Sequence, residues 1–494
     1  MPKKKAVKKI SKAKKIPSPK PKAAVVPVVT VPEKPKEPLQ APRGMRDILP
    51  SDEYLWRTVK EKAGKLSRGF GYGEIVTPIL EHKSLFVRGV GTGTDVVQKE
   101  MYSFKDQGGD ELCLRPENTA AIGRAYINHG MANLPQPVKL WYLGPFFRRE
   151  RPQAGRYRQF HQCGLEVLGD SHPVLDAEII SIAYAFFQEL KLPVTVEMNS
   201  IGCEQCRGVY KEELLKFYGS KRELLCESCK VRLETNRLRL LDCKEPQCEL
   251  LKEGAPSLPD SLCEACRDHF MKVLEYLDEI GVPYNLNSHI VRGLDYYNRT
   301  VFEIFPVITE DRTQHTEDGD KGKTEGLDET VKINEDPSSV VSPPFSGGAQ
   351  SALGVGGRYD GLVEQLGGRP TPAVGFSMGI ERIVAFLRAS GNAPPAETPR
   401  IFIAQLGDVA RRKALALWHT LGAEVPVVAS LSKDGLKAQL EIANRLQVRY
   451  AIIIGQKEII DKTAIIRDME AGIQEVVDYN KIVHEIKKKL AGGV

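Results

Sequence analysis

No stretch of the 494 residues approaches the run of about eighteen apolar side chains that spans a bilayer. The N-terminus also lacks the apolar core of a secretory signal. Residues 1–40 contain no arginine, although organelle transit peptides favour Arg and Ser in an amphipathic pattern. These absences argue against a membrane span, secretion and organelle import. The expectation they leave is a soluble cytoplasmic protein.

Acidic residues are also scarce in that first segment. It holds twelve lysines against Glu33 and Glu37, a net charge of +10. The whole chain carries +6, so the remaining residues total −4: a mildly acidic body with a basic tail. The tail is built from Lys, Ala, Val and Pro, cannot bury enough apolar surface to fold, and reads as disordered. Two roles stay open for it, a nucleic-acid arm working through phosphate contacts and a solubilising extension.

What is present is ordinary globular material, 41% hydrophobic and 27% charged, long enough for two or three domains. Ser51 reads as an N-cap before acidic Asp52 and Glu53. Leu55, Trp56, Val59, Ala63 and Leu66 then mark one helical face, which Gly69 and Gly71 end. Glu74 to Pro78 reads as a short strand. Further β-type runs cover 138–143, 160–168, 194–198, 301–305 and 374–378. Several adjoin without the long crossovers that parallel strands need, which predicts an antiparallel sheet.

Two stretches interrupt this body. Residues 199–270 are cysteine-rich and helical in character. Residues 308–345 hold ten acids and four bases between Glu310 and Asp336, and read as a disordered surface loop. After a break at 391–395, strands at 401–404, 424–428 and 450–454 alternate with helices at 409–420 and 434–446. That alternation predicts a small doubly wound α/β domain over 399–494.

The densest chemistry lies in Phe146 to Gln162, where Arg148, Arg149, Arg151, Arg156 and Arg158 stand between apolar ends and Pro152 and Gly155 supply a turn. Such a hairpin fixes planar guanidinium groups where they meet phosphate oxygens in pairs. A second segment, Ala373 to Arg382, runs from an apolar strand through small residues into a helix bearing Glu381 and Arg382. Small residues let a ligand lie close to the backbone. Taken singly, an arginine run reads more simply as a solvated face and a Gly-rich turn as common.

Together the two segments resemble the second and third signature motifs of class II aminoacyl-tRNA synthetases, and Gly73 to Pro78 resembles the first, which lies at that class's dimer interface. Two further segments, Leu286 to Tyr297 and Gly356 to Gly361, resemble the histidine-specific signatures of the histidyl-tRNA synthetase family. The resemblance runs from about Pro42 to Leu490. It implies an α+β protein: a class II catalytic domain at 41–395 with its antiparallel sheet and flanking helices, a helical insertion at 199–270, and an anticodon-binding domain at 399–494.

The resemblance also implies roles. Glu117 and Thr119, in Arg115-Pro-Glu-Asn-Thr119, match residues that bind the substrate α-amino group, with Asn118 standing where glycine is usual. Arg148 matches the arginine that grips the ATP α-phosphate and the substrate carboxylate. Gln162, Glu166, Tyr296 and Tyr297 match the amino-acid pocket, Glu166 and Tyr297 facing the imidazole nitrogens. Arg292 matches the catalytic arginine at the α-phosphate, and Arg382 the one at the γ-phosphate. Arg151 and Gln153 match the loop that meets the tRNA acceptor end. The implied partners are tRNA(His), L-histidine, ATP with Mg2+ and a second copy of the chain.

Eight of the ten cysteines form Cys203-x2-Cys206, Cys226-x2-Cys229, Cys243-x4-Cys248 and Cys263-x2-Cys266, nineteen residues separating the first two pairs. This spacing is typical of four-thiolate zinc sites, and a reducing cytoplasm disfavours disulfides. Many family members carry no cysteines there. One or two structural zinc ions are expected, with the pairing left open. Cys113 and Cys163 read as core. Rival readings are an inactive regulatory paralogue, a class II synthetase for another amino acid, and an RNA-binding module driven by the lysine tail.

Overall fold

The computed structural model describes residues 39–150, 156–307, 352–395 and 399–491. The lysine-rich tail up to residue 38, the acidic insert, and Arg151 and Gln153 lie outside the described residues.

The first helix, Pro50–Gly69, buries Leu55, Trp56, Val59 and Ala63, one stripe at helical spacing. Its start corrects the expectation at Ser51. Pro50 occupies the first helical turn with its backbone preset for a helix, Leu49 is the N-cap, and no side chain caps the end. The strand expected over 74–78 is also shorter than read. Only Gly73–Glu74 pairs, parallel to Leu140 and Trp141. Beyond it the Arg115 guanidinium, rather than a neighbouring strand, takes the Thr77 carbonyl at 2.8 Å.

The main sheet has eight strands in the spatial order Gly73–Glu74, Val138–Phe147, Gln159–Leu168, Ala373–Gly379, Gly354–Arg358, Asn298–Pro306, Val194–Ser200 and Tyr284–Leu286. All neighbours pair antiparallel except the two edge strands, Gly73–Glu74 and Tyr284–Leu286. Alternation along the central strands sorts the sheet into two faces. Leu165, Val167, Phe302, Ile304, Val374 and Phe376 enter one core with Trp56, Phe186 and Phe187 of the covering helices. The residues between them, Glu166, Glu303 and Gly375, belong to the opposite face. That face carries the functional groups.

A buried ion pair ties sheet to helix. Arg358 and Asp176 are both solvent-free, and Arg358 Nε lies 3.2 and 3.1 Å from the two Asp176 oxygens. Burial opposes the Asp176 charge, yet Arg358 outweighs it and holds the carboxyl below the usual range. His269 Nε2 lies 3.4 Å from the same carboxylate, fastening the helix Glu264–Glu279 as well.

The cysteine-rich segment is helical, with Glu204–Gly219, Glu227–Thr235 and Pro246–Lys252 leading to Glu264–Glu279. Cys113 and Cys163 are fully buried.

The C-terminal sheet has five strands in the order Val427–Ala429, Ile401–Gln405, Tyr450–Ile454, Thr463–Asp468 and Gln474–Asp478. The first three are parallel, as strand–helix alternation predicts. The last two were not expected and run antiparallel, extending the sheet through Ala464 and Val477. All of Ile401–Gln405 is buried, as suits a strand covered on both faces.

Candidate active site

On the open face of the main sheet lies a cavity of about 430 Å3. Glu117, Thr119, Gln162 and Glu166 line one part, with Tyr296 and Tyr297 beside them. Arg148, Arg292 and Arg382 line another part, with Arg156 and Arg239 also on the cavity surface. The described residues matched by the resemblance to substrate or ATP contact therefore all line one space, whereas Arg149 and Arg158 of the arginine hairpin do not.

The acidic floor is built by strand alternation and a helix start. Glu166 is 1% exposed, and each of its oxygens accepts a hydroxyl proton: Oε1 from Thr119 Oγ1 at 2.8 Å, Oε2 from Tyr359 at 2.5 Å. Burial pushes the Glu166 carboxyl up to about 8 against those two donors. Gly375, paired with Glu166 across the sheet, leaves room for it, because a Cβ there would sit on Glu166 Oε2. The Tyr296 and Tyr297 ring centroids lie 4.6 Å apart, and those of Tyr296 and Tyr359 5.7 Å.

Glu117 turns back onto the start of the helix Thr119–Asn128, accepting from the Thr119 and Ala120 amides at 2.7 and 3.1 Å. Those amides and the helix dipole offset part of the cost of burying the carboxylate; burial nevertheless raises its pKa. Asn118 has φ −115°, outside the left-handed region, so nothing in the backbone here requires glycine. Its side chain accepts from Thr77 Oγ1 at 2.6 Å. Arg115 of the same segment clamps the loop, donating to the carbonyls of Pro145 and Thr77 at 3.0 and 2.8 Å.

The cationic wall comes from three places in the chain. Arg148 is aimed by a 2.9 Å bond from Nε to the Pro116 carbonyl and by the Phe160 ring 5.5 Å away. Arg382 donates to the Ala352 carbonyl at 2.7 Å. Burial, then the nearby Arg156, lowers its pKa. Arg292 donates from Nη1 to Glu303 Oε1 at 2.5 Å and lies 5.2 Å from the Tyr297 ring centroid. Burial opposes its charge, but Tyr297 and Glu303 outweigh it and raise the pKa. Arg292 Nε is buried without a hydrogen-bond partner among the described residues.

Glu381 has another task. It accepts from the His161 amide at 2.9 and 3.0 Å and lies 3.0 Å from the ring Nδ1, fixing the helix Ile380–Ala389 to the sheet. Sequence reasoning missed Tyr359 and Glu303. Tyr359 sits in the Gly356–Gly361 segment without a role, and Glu303 is an acid between Phe302 and Ile304 in an apolar strand, which is a legible signal. It also missed Arg239 and Asp242, which reach the cavity from the insertion.

The eight insertion cysteines are grouped apart from those lining residues. They form two quartets, Cys203 with Cys206, Cys263 and Cys266, and Cys226 with Cys229, Cys243 and Cys248. The nineteen-residue spacing thus does not join the first two pairs; the chain nests one quartet inside the other.

The class II signatures, the sheet and this cavity agree with what the chain matches. A family model described as histidyl-tRNA synthetase covers residues 44–312 and 340–383, and one for an anticodon binding domain covers 401–489. The histidine–tRNA ligase of Dehalococcoides mccartyi is 43% identical over 454 residues, spanning 91% of this chain and 100% of its own. That of Pelotomaculum thermopropionicum is 41% identical over 91% of this chain and 98% of its own. The apo crystal structure of S. aureus histidyl-tRNA synthetase superposes with a TM-score of 0.69 at 32% identity, covering 90% of this chain and 99% of that one. No described helix is long and apolar enough to cross a membrane. By family match, relatives and fold, the chain belongs to the histidyl-tRNA synthetase family.

Proposed function

We propose that this protein attaches L-histidine to tRNA(His) through a histidyl-adenylate, in the cytoplasm and as a homodimer. The observation that carries the reading is one cavity that joins an acid-and-phenol floor to a wall bearing Arg148, Arg292 and Arg382. Residues 41–395 act as the catalytic domain with its insertion at 199–270, and 399–494 as the anticodon-binding domain.

In the first step the histidine ammonium is held by Glu117 and Thr119, and the imidazole by Glu166 and Tyr297, with Gln162 and Tyr296 closing the pocket. A carboxylate oxygen of histidine attacks the α-phosphorus of ATP, forming the mixed anhydride as the bond to pyrophosphate breaks. ATP arrives as its magnesium complex, the metal being part of the substrate. Arg148 grips the α-phosphate and the attacking carboxylate, Arg382 the γ-phosphate, and Arg292 stabilises charge gathering on the α-phosphate. Fixed cations in a water-poor site contribute several kcal/mol to such a step. In the second step a terminal ribose hydroxyl of the tRNA, guided by Arg151 and Gln153, attacks the carbonyl and AMP leaves.

The segment after Gly73 supports the dimer: Val76, in the stretch that resembles the class II interface motif, is 82% exposed, and Ile79 and Leu80 just beyond it are also uncovered. The insertion cysteines are read as ligands of structural zinc. The test is aminoacylation. Purified protein should charge tRNA(His) with labelled histidine in an ATP-dependent manner, and no acid-precipitable histidine would rule the proposal out.

A further inference from the structure

The two cysteine quartets differ in place and in what they brace. In the first, Cys203 lies three residues past the end of the strand Val194–Ser200, and Cys263 and Cys266 open the helix Glu264–Glu279, which returns the chain to the main core through Phe270 and Val273. The quartet therefore closes the neck of the insertion. Gly202 turns the chain there with φ +63°, and a Cβ on it would stand 2.5 Å from the Cys206 Cβ, so the close approach requires glycine.

The second quartet brackets a turn. Cys226 and Cys229 lie at the start of the helix Glu227–Thr235, Cys243 and Cys248 lie beyond, and between them runs the turn Arg237–Leu240. From that turn Arg239 reaches Asp95 at 3.3 Å and Asp242 at 3.4 Å, and both Arg239 and Asp242 line the catalytic cavity.

Within each quartet all sulfurs lie within 4.8 Å of one another, with Cys203 and Cys206 at 3.6 Å and Cys226 and Cys243 at 3.8 Å. A tetrahedron with Zn–S bonds of about 2.3 Å has edges of about 3.8 Å, whereas a disulfide needs about 2.05 Å. The thiols are therefore spaced for a shared metal and too far apart to be bonded pairs. Backbone amides already point at the sulfurs, Cys263 N at Cys206 Sγ (3.2 Å) and Cys226 N at Cys248 Sγ (3.3 Å), the outer contacts that thiolate–metal sites use. Four sulfur ligands leave no open position, so the sites are structural.

We propose that the chain binds two zinc ions, one per nested quartet, the first stapling the insertion to the catalytic domain and the second holding Arg239 and Asp242 at the cavity wall. This rests on the zinc reading above, and the experiment separates the two. Unaltered full-length protein should carry two zinc ions per chain by mass spectrometry of metals. Less than about one per chain overturns the zinc reading itself, since a four-thiolate site retains its metal through purification. With zinc present, Cys203→Ser with Cys263→Ser removes two ligands of one site and should leave one ion, whereas Cys203→Ser with Cys226→Ser damages both sites and should leave less. The reverse pattern overturns the nested pairing while zinc binding stands.

Should those variants fail to accumulate, a zinc-edge anomalous map of the unaltered protein decides the pairing: two peaks, each among the sulfurs of one nested quartet, support it, and peaks shared between quartets refute it. For the second site, Arg239→Ala should keep both ions and lower kcat/KM for histidine-dependent pyrophosphate exchange. Cys226→Ser with Cys243→Ser should lose one ion and lower kcat/KM by the same factor, and the triple variant should lose no more. An unchanged rate in Arg239→Ala, or additive losses in the triple variant, overturns the link to the cavity.

Discussion

The Tyr359 hydroxyl donates to Glu166 Oε2 at 2.5 Å, joining the segment Gly356–Gly361 to the floor of the cavity. With Thr119 on the other oxygen, it fixes the orientation of the carboxyl before substrate arrives. Once that carboxyl is ionised, a hydrogen bond to it is worth about 1.5–3 kcal/mol. Tyr359→Phe should therefore raise the KM for histidine by roughly 10- to 100-fold while the KM for ATP stays nearly constant. Steady-state exchange kinetics check this, and equal rises in both constants would contradict it.

Glu166 also sets a pH dependence. Burial pushes its carboxyl up to about 8 in the free protein, so it is mostly protonated at neutral pH and ionises above. Recognition by the carboxylate then makes kcat/KM for histidine rise with pH through that value, because this parameter reports the free enzyme. The same displacement lowers folding stability as pH climbs from the ordinary carboxylate range toward 8, since the unfolded chain releases its proton first. Glu166→Gln should lose the rising limb and lose less stability over that window. A limb that survives in the variant would assign it to another group.

How far the site was legible follows from which contacts are local. Alternation along 160–168 and 374–378 already places Glu166 opposite Leu165 and Val167, and the arginines of the hairpin between sheet strands. Arg358 shows the limit. Its partner Asp176 is 182 residues away, and no local pattern announces that the two meet without solvent. The cysteine pairing stays open in the sequence for the same reason: spacing alone does not decide between neighbouring and nested pairs, and the chain nests them. The two antiparallel strands at 463–468 and 474–478 escaped because charged and exposed residues interrupt their apolar pattern.

The Arg358–Asp176 pair gives a stability prediction. Removing one partner of a buried pair leaves an uncompensated charge and costs about 3–5 kcal/mol. Asp176→Ala should lower the denaturation midpoint of the catalytic domain accordingly, with His269 also losing its carboxylate. An unchanged midpoint in denaturant titration would show that the pair is not needed for stability.

Arg292 tests the chemistry itself. It is anchored by Glu303 and lines the cavity, so Arg292→Ala should remove α-phosphate stabilisation and leave the sheet intact. The expected fall in kcat is roughly 100-fold or more, the scale for losing one fixed donor to a developing charge. Circular dichroism should be unaltered; a rate within twofold of the parent would overturn the role.

The measurement closest to the centre of the account is ATP–pyrophosphate exchange with each of the twenty amino acids in turn. The cavity described here predicts exchange with histidine alone. Exchange with a different amino acid, or with none, would contradict it.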